Sequence, residues 1–235
     1  MSKINIRVQS CTDIGRQRKR NEDSIFVSEE DRLFIVADGM GGHEGGDYAS
    51  RTVIKEAPPY FLSSERKNIH LTQALIKAGK IIGLNTNYKA GTTATAFYIS
   101  DLSSGDTTFA FLSHVGDTRA YRLREGKLRQ LSTDHTMVQR LVEIGHLTEE
   151  QARIHPRRGL LDRALGIDPK CLIDKKVIGV RKGDRILLCS DGFYDYFNNV
   201  EIEKMLEKAT AQKLVDVANN KGGIDNISVI IIDIL

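Results

Sequence analysis

The chain has 235 residues, 40% of them hydrophobic and 28% charged, a balance that suits one ordinary water-soluble globular domain and excludes disordered and fibrous classes. Its 34 basic and 31 acidic side chains leave a formal charge of +3, too small an excess to argue for nucleic acid. The longest apolar run, residues 227–235, is interrupted by Asp233 and falls far short of the ~20 residues of a spanning helix, so no membrane association is expected. The opening MSKINIRVQS lacks the apolar core of a secretory signal. Cys11, Cys171 and Cys189 form an odd set without CxxC spacing, which suits a reducing compartment and argues against a disulfide framework. A cytoplasmic location is expected.

In chain order, apolar runs rich in Val, Ile, Phe and Leu predict strands over residues 24–28 and 33–37. Two helices follow. The first covers 48–55 and is closed by Pro58 and Pro59; the second covers 70–84, with Leu71, Leu75, Ala78 and Ile82 on one face. Strands are then predicted over 92–100 and Thr107–Val115. A helical region follows over 136–154, where Thr148 and Gln151 make a capping-box pattern that starts a second short helix. A strand over Arg185–Cys189, a helix from about 200 to 219 and a strand over Ile227–Ile234 complete the chain. Several strands are almost continuously apolar, which implies that both of their faces are covered. Strand runs separated by paired helices favour an α+β sandwich of mostly antiparallel sheets over a doubly wound fold. No repeat or low-complexity tract divides the chain, so residues 1–235 are read as a single domain.

The aspartates fall at the ends of these strands. Asp38 closes LFIVAD, Asp117 follows FAFLSHVG, Asp191 closes RILLCSD, and Asp225 in GGIDN precedes the last strand; Glu22 and Asp23 stand just before the first. Asp near Gly is also the usual chemistry of a turn that closes a strand. Strand ends in a sandwich can nevertheless gather five such sites at one rim, where crowded carboxylates either take up protons or are neutralised by cations. Hard oxygen ligands select Mg²⁺, Mn²⁺ or Ca²⁺ over zinc. The stretch DGMGGHEGG is five-ninths glycine, which would let the Gly39 carbonyl approach a metal. Neither GxxxxGK[ST] nor GxGxxG occurs there, so a nucleotide-binding loop is not expected.

Taken in order, TDIGRQRKRNED, FIVADGMGGHEGG, GTTAT, HVGDTR, STDHT, LLCSDG and GGIDNISV resemble the motifs of the metal-dependent Ser/Thr protein phosphatases of the type 2C-like class, in their compact bacterial form. The likeness spans nearly the whole chain. It implies a four-layer α-β-β-α sandwich of two antiparallel sheets flanked by paired helices, with the metals at one end. It also implies that Asp38 bridges two ions, that Gly39 supplies a backbone carbonyl and that Asp191 and Asp225 complete one metal site. Asp23 would serve the other ion through water, with Glu22 as the candidate for the same task, and Asp117 with Asp191 would hold a third, weaker ion. Arg18 would grip the substrate phosphate, so that Asp38, Arg18 and Asp191 form the implied catalytic set. The implied cofactors are two Mn²⁺ or Mg²⁺ ions, with a third in bacterial members. The implied partners are phosphorylated proteins and an opposing Ser/Thr kinase, with no nucleic acid, no membrane and a monomeric state.

The expected reaction is hydrolysis of phosphoserine and phosphothreonine by a metal-activated water. A cysteine-based mechanism needs Arg six positions after Cys, where this chain has Gln17, Val177 and Asp195. A catalytically weak module that binds phosphoproteins would be marked by loss of a metal carboxylate, and Asp23, Asp38, Asp191 and Asp225 are all present. The basic stretch 16–20 lacks the aromatic stripe of a nucleic-acid site. Met40 stands where many relatives carry a proton-donating His, and methionine cannot donate a proton. That leaves His43, a metal-bound water or no dedicated general acid. His114 and His135 read as packing or hydrogen-bonding residues, and Ile224 stands where relatives often have a polar residue. Residues 136–165 fall where the family carries a flap. With Gly145 as hinge and His155, Arg157 and Arg158 as a basic trio, the flap would meet acidic or phosphorylated substrate surface; the alternative is a solvated basic turn.

Overall fold

Leu33, Ile35 and Ala37 are buried beneath helices, whereas the alternating Phe34 and Val36 are buried against a second sheet; this double cover is why the run is continuously apolar. The computed structural model describes residues 4–41 and 45–235. The chain opens with β1 (Ile6–Asp13), β2 (Asp23–Ser28) and β3 (Leu33–Met40), then α1 (Gly45–Leu62) and α2 (Asn68–Thr86). There follow β4 (Gly91–Thr92), β5 (Ala94–Ser104), β6 (Thr107–Val115), β7 (Arg119–Arg124) and β8 (Lys127–Gln130). Two short helices, α3 (Met137–Glu143) and α4 (Glu149–Arg153), lead to β9 (Asp174–Val180) and β10 (Arg185–Cys189). The chain ends with α5 (Asp191–Tyr194), α6 (Asn199–Leu206), α7 (Ala211–Asn220) and β11 (Ile227–Ile234).

The strands form two antiparallel sheets, ordered β1-β11-β10-β7-β8 and β2-β3-β5-β6-β9, with β4 paired to β3. Phe97, Ile99 and Leu112 of one sheet meet Ile186, Leu188, Ile230 and Ile232 of the other in the central core. The outer face of the second sheet packs under α1 and α2, and that of the first under the carboxy-terminal helices through Tyr121, Leu187, Val229 and Ile231. The result is the expected α-β-β-α sandwich. Among the described residues no helix is long and apolar enough to cross a membrane, and the three cysteines are free.

Several boundaries differ from the sequence expectation. α1 continues through Pro58 and Pro59 to Leu62. Two prolines remove two helical donors, yet Ala57, Pro58 and Phe61 are buried against the sheet, and such packing outweighs local propensity. The helix expected over 200–219 is two helices, because Thr210 caps a new one by accepting from the Lys213 N–H. β1, β7, β8 and β9 were not among the expected strands; their runs, such as RAYRLR and DKKVIGV, carry charges that interrupt the apolar pattern. The Thr148–Gln151 capping box forms as expected.

Candidate metal centre

Strand register sets the first pair of carboxylates. β2 and β3 pair with Asp23 directly opposite Asp38, an arrangement in which like charges repel. The expected strand end at residue 37 is corrected here: β3 runs on through Asp38 and Gly39 to Met40, and β4 pairs Thr92 with Gly39. The Asp38 backbone is held from that side, its N–H donating to Thr93 Oγ1 at 3.1 Å and its carbonyl accepting from the Thr93 N–H at 2.9 Å. Asp191 follows the end of β10 and opens α5, while Asp225 lies two residues before β11. Only glycine fits between these segments. A Cβ on Gly39 would lie 2.1 Å from the Gly46 carbonyl oxygen, and one on Gly192 would lie 2.0 Å from that of Asn226.

Asp23 is buried, and its Oδ2 accepts from Ser190 Oγ at 2.7 Å. Asp23 Oδ1 and Asp191 Oδ1 are buried with no hydrogen-bond partner. Burial pushes the Asp23 carboxyl up to about 6, against the Ser190 and Ser228 hydrogen bonds and with help from the Asp225 charge. Asp38 is half-buried and raised well above the usual carboxylate range, by burial first and then by Asp23, Asp191, Asp117 and Asp225. Asp191 is raised likewise, by burial and then by Asp117, Asp195, Asp225 and Asp23. Asp117 is raised to about 7 by burial and Asp134, and Glu22 is raised by burial. These mutual effects place Asp23, Asp38, Asp117, Asp191 and Asp225 in one electrostatic cluster.

Arg18 supplies the counter-charge. Its Nη2 donates to Asp225 Oδ2 at 2.5 Å, with the Arg18 side chain about half exposed. Burial works against its charge, but Asp225, Asp191 and Asp38 raise its pKa. The donor set is all oxygen, two of its buried oxygens have no partner, and neighbouring carboxylates help raise Asp23, Asp38, Asp117 and Asp191. Those three properties fit hard divalent cations. Glu22 and the Gly39 carbonyl border the same space, since a Cβ on Gly46 would lie 2.9 Å from Gly39 O and 3.0 Å from Glu22 Cδ. Among the described residues no three Asp, Glu, His or Cys side chains are gathered closely enough to hold a metal ion as they stand. A cation among them would offset the repulsion that the carboxylates exert on one another.

Asn226, Tyr194 and Arg119, none of them singled out from the sequence, hold the segments that carry these carboxylates, together with His135, expected as a hydrogen-bonding residue. Asn226 Oδ1 accepts from the Glu22 N–H at 2.8 Å, while its Nδ2 donates to the Ile14 and Arg20 carbonyls, each at 2.9 Å. Tyr194 Oη donates to the Asp117 carbonyl at 2.9 Å, and the Arg119 guanidinium lies 3.6 Å from the centre of the Tyr194 ring. Arg119 is in turn held by Asp134. His135 braces the residue before Asp117, accepting from the Gly116 N–H at Nδ1 and donating its own N–H to the Gly116 carbonyl. The available signal was polar residues inside HVGDTR, STDHT and GGIDNIS, which only a buried setting makes informative. His114 packs as expected, with Nδ1 2.9 Å from Thr95 Oγ1 and Nε2 3.0 Å from the Thr133 carbonyl. The general-acid candidate His43 lies outside the described residues.

The basic residues within 136–165 divide. Arg158 Nε donates to Asp195 Oδ2 at 3.0 Å, just past α5. With Gln139 and Arg153 it lines a cleft of about 380 Å³ that reaches Asp117 and Asp191. Arg157 and His155 do not line that cleft.

A four-layer sandwich with carboxylates crowded at one rim and an adjacent arginine suits hard cations and an anionic ligand. The family profile described as Protein phosphatase 2C matches residues 15–221. The chain is 34% identical over 241 residues to the serine/threonine phosphatase stp of Listeria monocytogenes serotype 4b (strain F2365), covering 94% of this chain and 93% of that protein. It is equally 34% identical over 249 residues to the serine/threonine protein phosphatase PstP of Mycobacterium tuberculosis, covering 98% of this chain and 45% of that one. A crystal structure of M. tuberculosis PstP superposes with a TM-score of 0.87, at 34% identity and covering 98% and 99% of the two chains. The PstP catalytic domain in complex with two manganese ions superposes at 0.86, with 32% identity and 99% and 100% coverage. The chain belongs to the protein phosphatase 2C family.

Proposed function

We propose that this chain is a metal-dependent protein serine/threonine phosphatase that hydrolyses phosphoserine and phosphothreonine in proteins. The observation that carries the reading is the rim itself: buried Asp23 and Asp191 oxygens without partners, among carboxylates that raise one another, beside a half-exposed arginine. Its kinship to proteins named serine/threonine phosphatases, one of them seen with two manganese ions, supports it. In this reading Asp38, the Gly39 carbonyl, Asp191 and Asp225 would hold one Mn²⁺ or Mg²⁺ ion, and Asp38 with Asp23 and Glu22 would serve a second. Asp117 with Asp191 would hold a third, weaker ion. When bound, such ions supply an acidified water and positive charge for the phosphoryl oxygens.

The chain's own groups do the rest. Arg18 offers a planar fork suited to two phosphate oxygens, and a phosphate dianion at that place competes with Asp225 for it. Ser190 and Asn226 fix the orientation of Asp23 and the Glu22 loop. Met40 cannot protonate a leaving alkoxide, which leaves His43 or solvent for that step. The substrates require a Ser/Thr kinase to install their phosphate; the chain works as a monomer in the cytoplasm and acts as one catalytic domain with a flap over 136–165. The test is hydrolysis of an aryl phosphate and a phosphothreonine peptide with Mn²⁺, with and without chelator. Activity should vanish on chelation and in Asp191→Ala, and calorimetry should show Asp191→Ala binding less Mn²⁺. Activity that survives chelation would refute the reading.

A further inference from the structure

Away from the acidic rim, β8 and β9 are edge strands of the two sheets, and side chains of the β7–β8 hairpin reach across to β9. In the β7–β8 hairpin Arg122 stands directly opposite Arg129, and Arg124 opposite Lys127. Opposed like charges weaken a strand pair, so two such pairs in one short hairpin call for an explanation. Ala120 lies in the central core, whereas Tyr121 and Leu123 lie under the helices. Period-two alternation therefore turns Arg122 and Arg124, with Arg129 and Lys127, toward the second sheet. There Arg122 Nη1 and Arg124 Nη2 both donate to the Gly179 carbonyl of β9, at 3.1 and 3.0 Å.

Compensation is partial. Asp184 takes Arg124 in a two-point ion pair, at 2.6 and 2.7 Å. Among the described residues no such carboxylate pairs with Arg122, Arg129 or Arg181, and Arg122 Nε is buried without a partner. Burial, then the charges of Arg124, Arg129 and Arg181, hold Arg122 below the ordinary arginine range, with Asp184 acting in its favour. Lys176 carries the stripe toward the rim, its Nζ donating to the Leu131 carbonyl at 2.9 Å. β9 itself begins at Asp174, whose carboxylate lies 3.4 Å from His135 Nε2, the residue that braces Gly116 beside Asp117. The stripe thus follows a seven-residue strand away from the metal rim, roughly 20 Å of extended chain.

We propose that this cationic edge, Arg122, Arg129 and Arg181 with Lys176 between them and the rim, docks an acidic segment of the phosphoprotein substrate while the phosphorylated residue occupies the metal centre. An extended acidic peptide matches the edge in charge and in linear form. Single-stranded nucleic acid would call for stacking aromatics, and the residues of the stripe include none. The substrate's identity as a phosphoprotein rests on the function proposed above, whereas the docking chemistry can be read without turnover.

Two phosphothreonine peptides test this, joined through a flexible Gly/Ser linker to a run of glutamates or to the same run of glutamines. The wild-type protein should show kcat/KM higher for the glutamate peptide by roughly tenfold, the scale of several exposed ion pairs acting together. R129E/R181E, both at exposed positions, should reduce that preference to within about twofold and leave aryl phosphate kcat/KM unchanged; R122Q should act in the same direction. Fluorescence anisotropy of a labelled, unphosphorylated oligo-glutamate reads docking alone, so an inactive enzyme that still binds it separates this inference from the phosphatase reading. Equal kcat/KM for the two peptides with no anisotropy change, or an undiminished preference in R129E/R181E, would overturn it. So would tighter binding of a single-stranded oligonucleotide than of oligo-glutamate at the same ionic strength.

Discussion

The side-chain amide of Asn226 reaches three backbone groups in the loop that carries Arg18 and Glu22, and the residue before it is Asp225. A neutral side chain thus orients charged ones, as groups behind metal ligands commonly do. Asn226→Ala should weaken Mn²⁺ binding by about 10- to 100-fold, the usual scale for losing such a support, and cost about 1–3 kcal/mol for the amide and carbonyl groups left unpaired. Isothermal calorimetry with Mn²⁺ and urea unfolding check the two numbers; unchanged metal affinity would show that the loop keeps its place without Asn226. The carboxylates were legible in the sequence because strand-end Asp–Gly is a local pattern. Asn226 and Ser190 were not, because a polar residue at a strand boundary acquires meaning only from what it faces.

At the scale of elements, α3 and α4 stand on capped starts at Thr136 and Thr148, and the segment beyond α4 is tied beside α5 through the partly exposed ion pair of Arg158 and Asp195. The sequence treated His155, Arg157 and Arg158 as one basic surface, but only Arg158 reaches the cleft beside Asp117 and Asp191. Arg158→Ala should therefore lower kcat/KM on phosphopeptides several-fold, the scale of one partly exposed ion pair, while Arg157→Ala leaves it unchanged. Steady-state kinetics on a small panel of phosphopeptides distinguishes them, and equal effects of the two variants would restore the view of an undifferentiated basic turn. The prolines of α1 make the complementary point. Local rules end the helix before Pro58, and burial of Ala57, Pro58 and Phe61 carries it onward.

For the whole molecule, acid stability turns on groups buried between the layers. The Thr133 carbonyl can only accept, so His114 Nε2 carries the ring proton, and burial lowers the His114 pKa to about 4. The folded state then binds fewer protons than the unfolded state between about pH 4 and 6.5. Stability contributed by neutral His114 is complete above 6.5 and lost as pH falls toward 4, on the order of 3 kcal/mol in all. Asp23 and Asp117, raised to about 6 and about 7, have the opposite sign, and comparing wild type with His114→Gln cancels them. Denaturant unfolding at pH 7 and pH 5 should show a smaller loss for His114→Gln, and equal losses would refute the assignment.

The sequence by itself determined the near-continuous apolar strands, the Thr148–Gln151 helix start and the acidic residues at strand ends, because each is a pattern within a few neighbouring residues. It also carried the family, through seven motifs in order. Tertiary structure alone decided that Asp23 lies opposite Asp38, that Arg18 reaches Asp225 across 207 positions, and that the cations of β7 and β8 face β9 unbalanced. Strand register and the stacking of two sheets set those pairings, and both are summed over the whole core, so no short stretch of chain contains them.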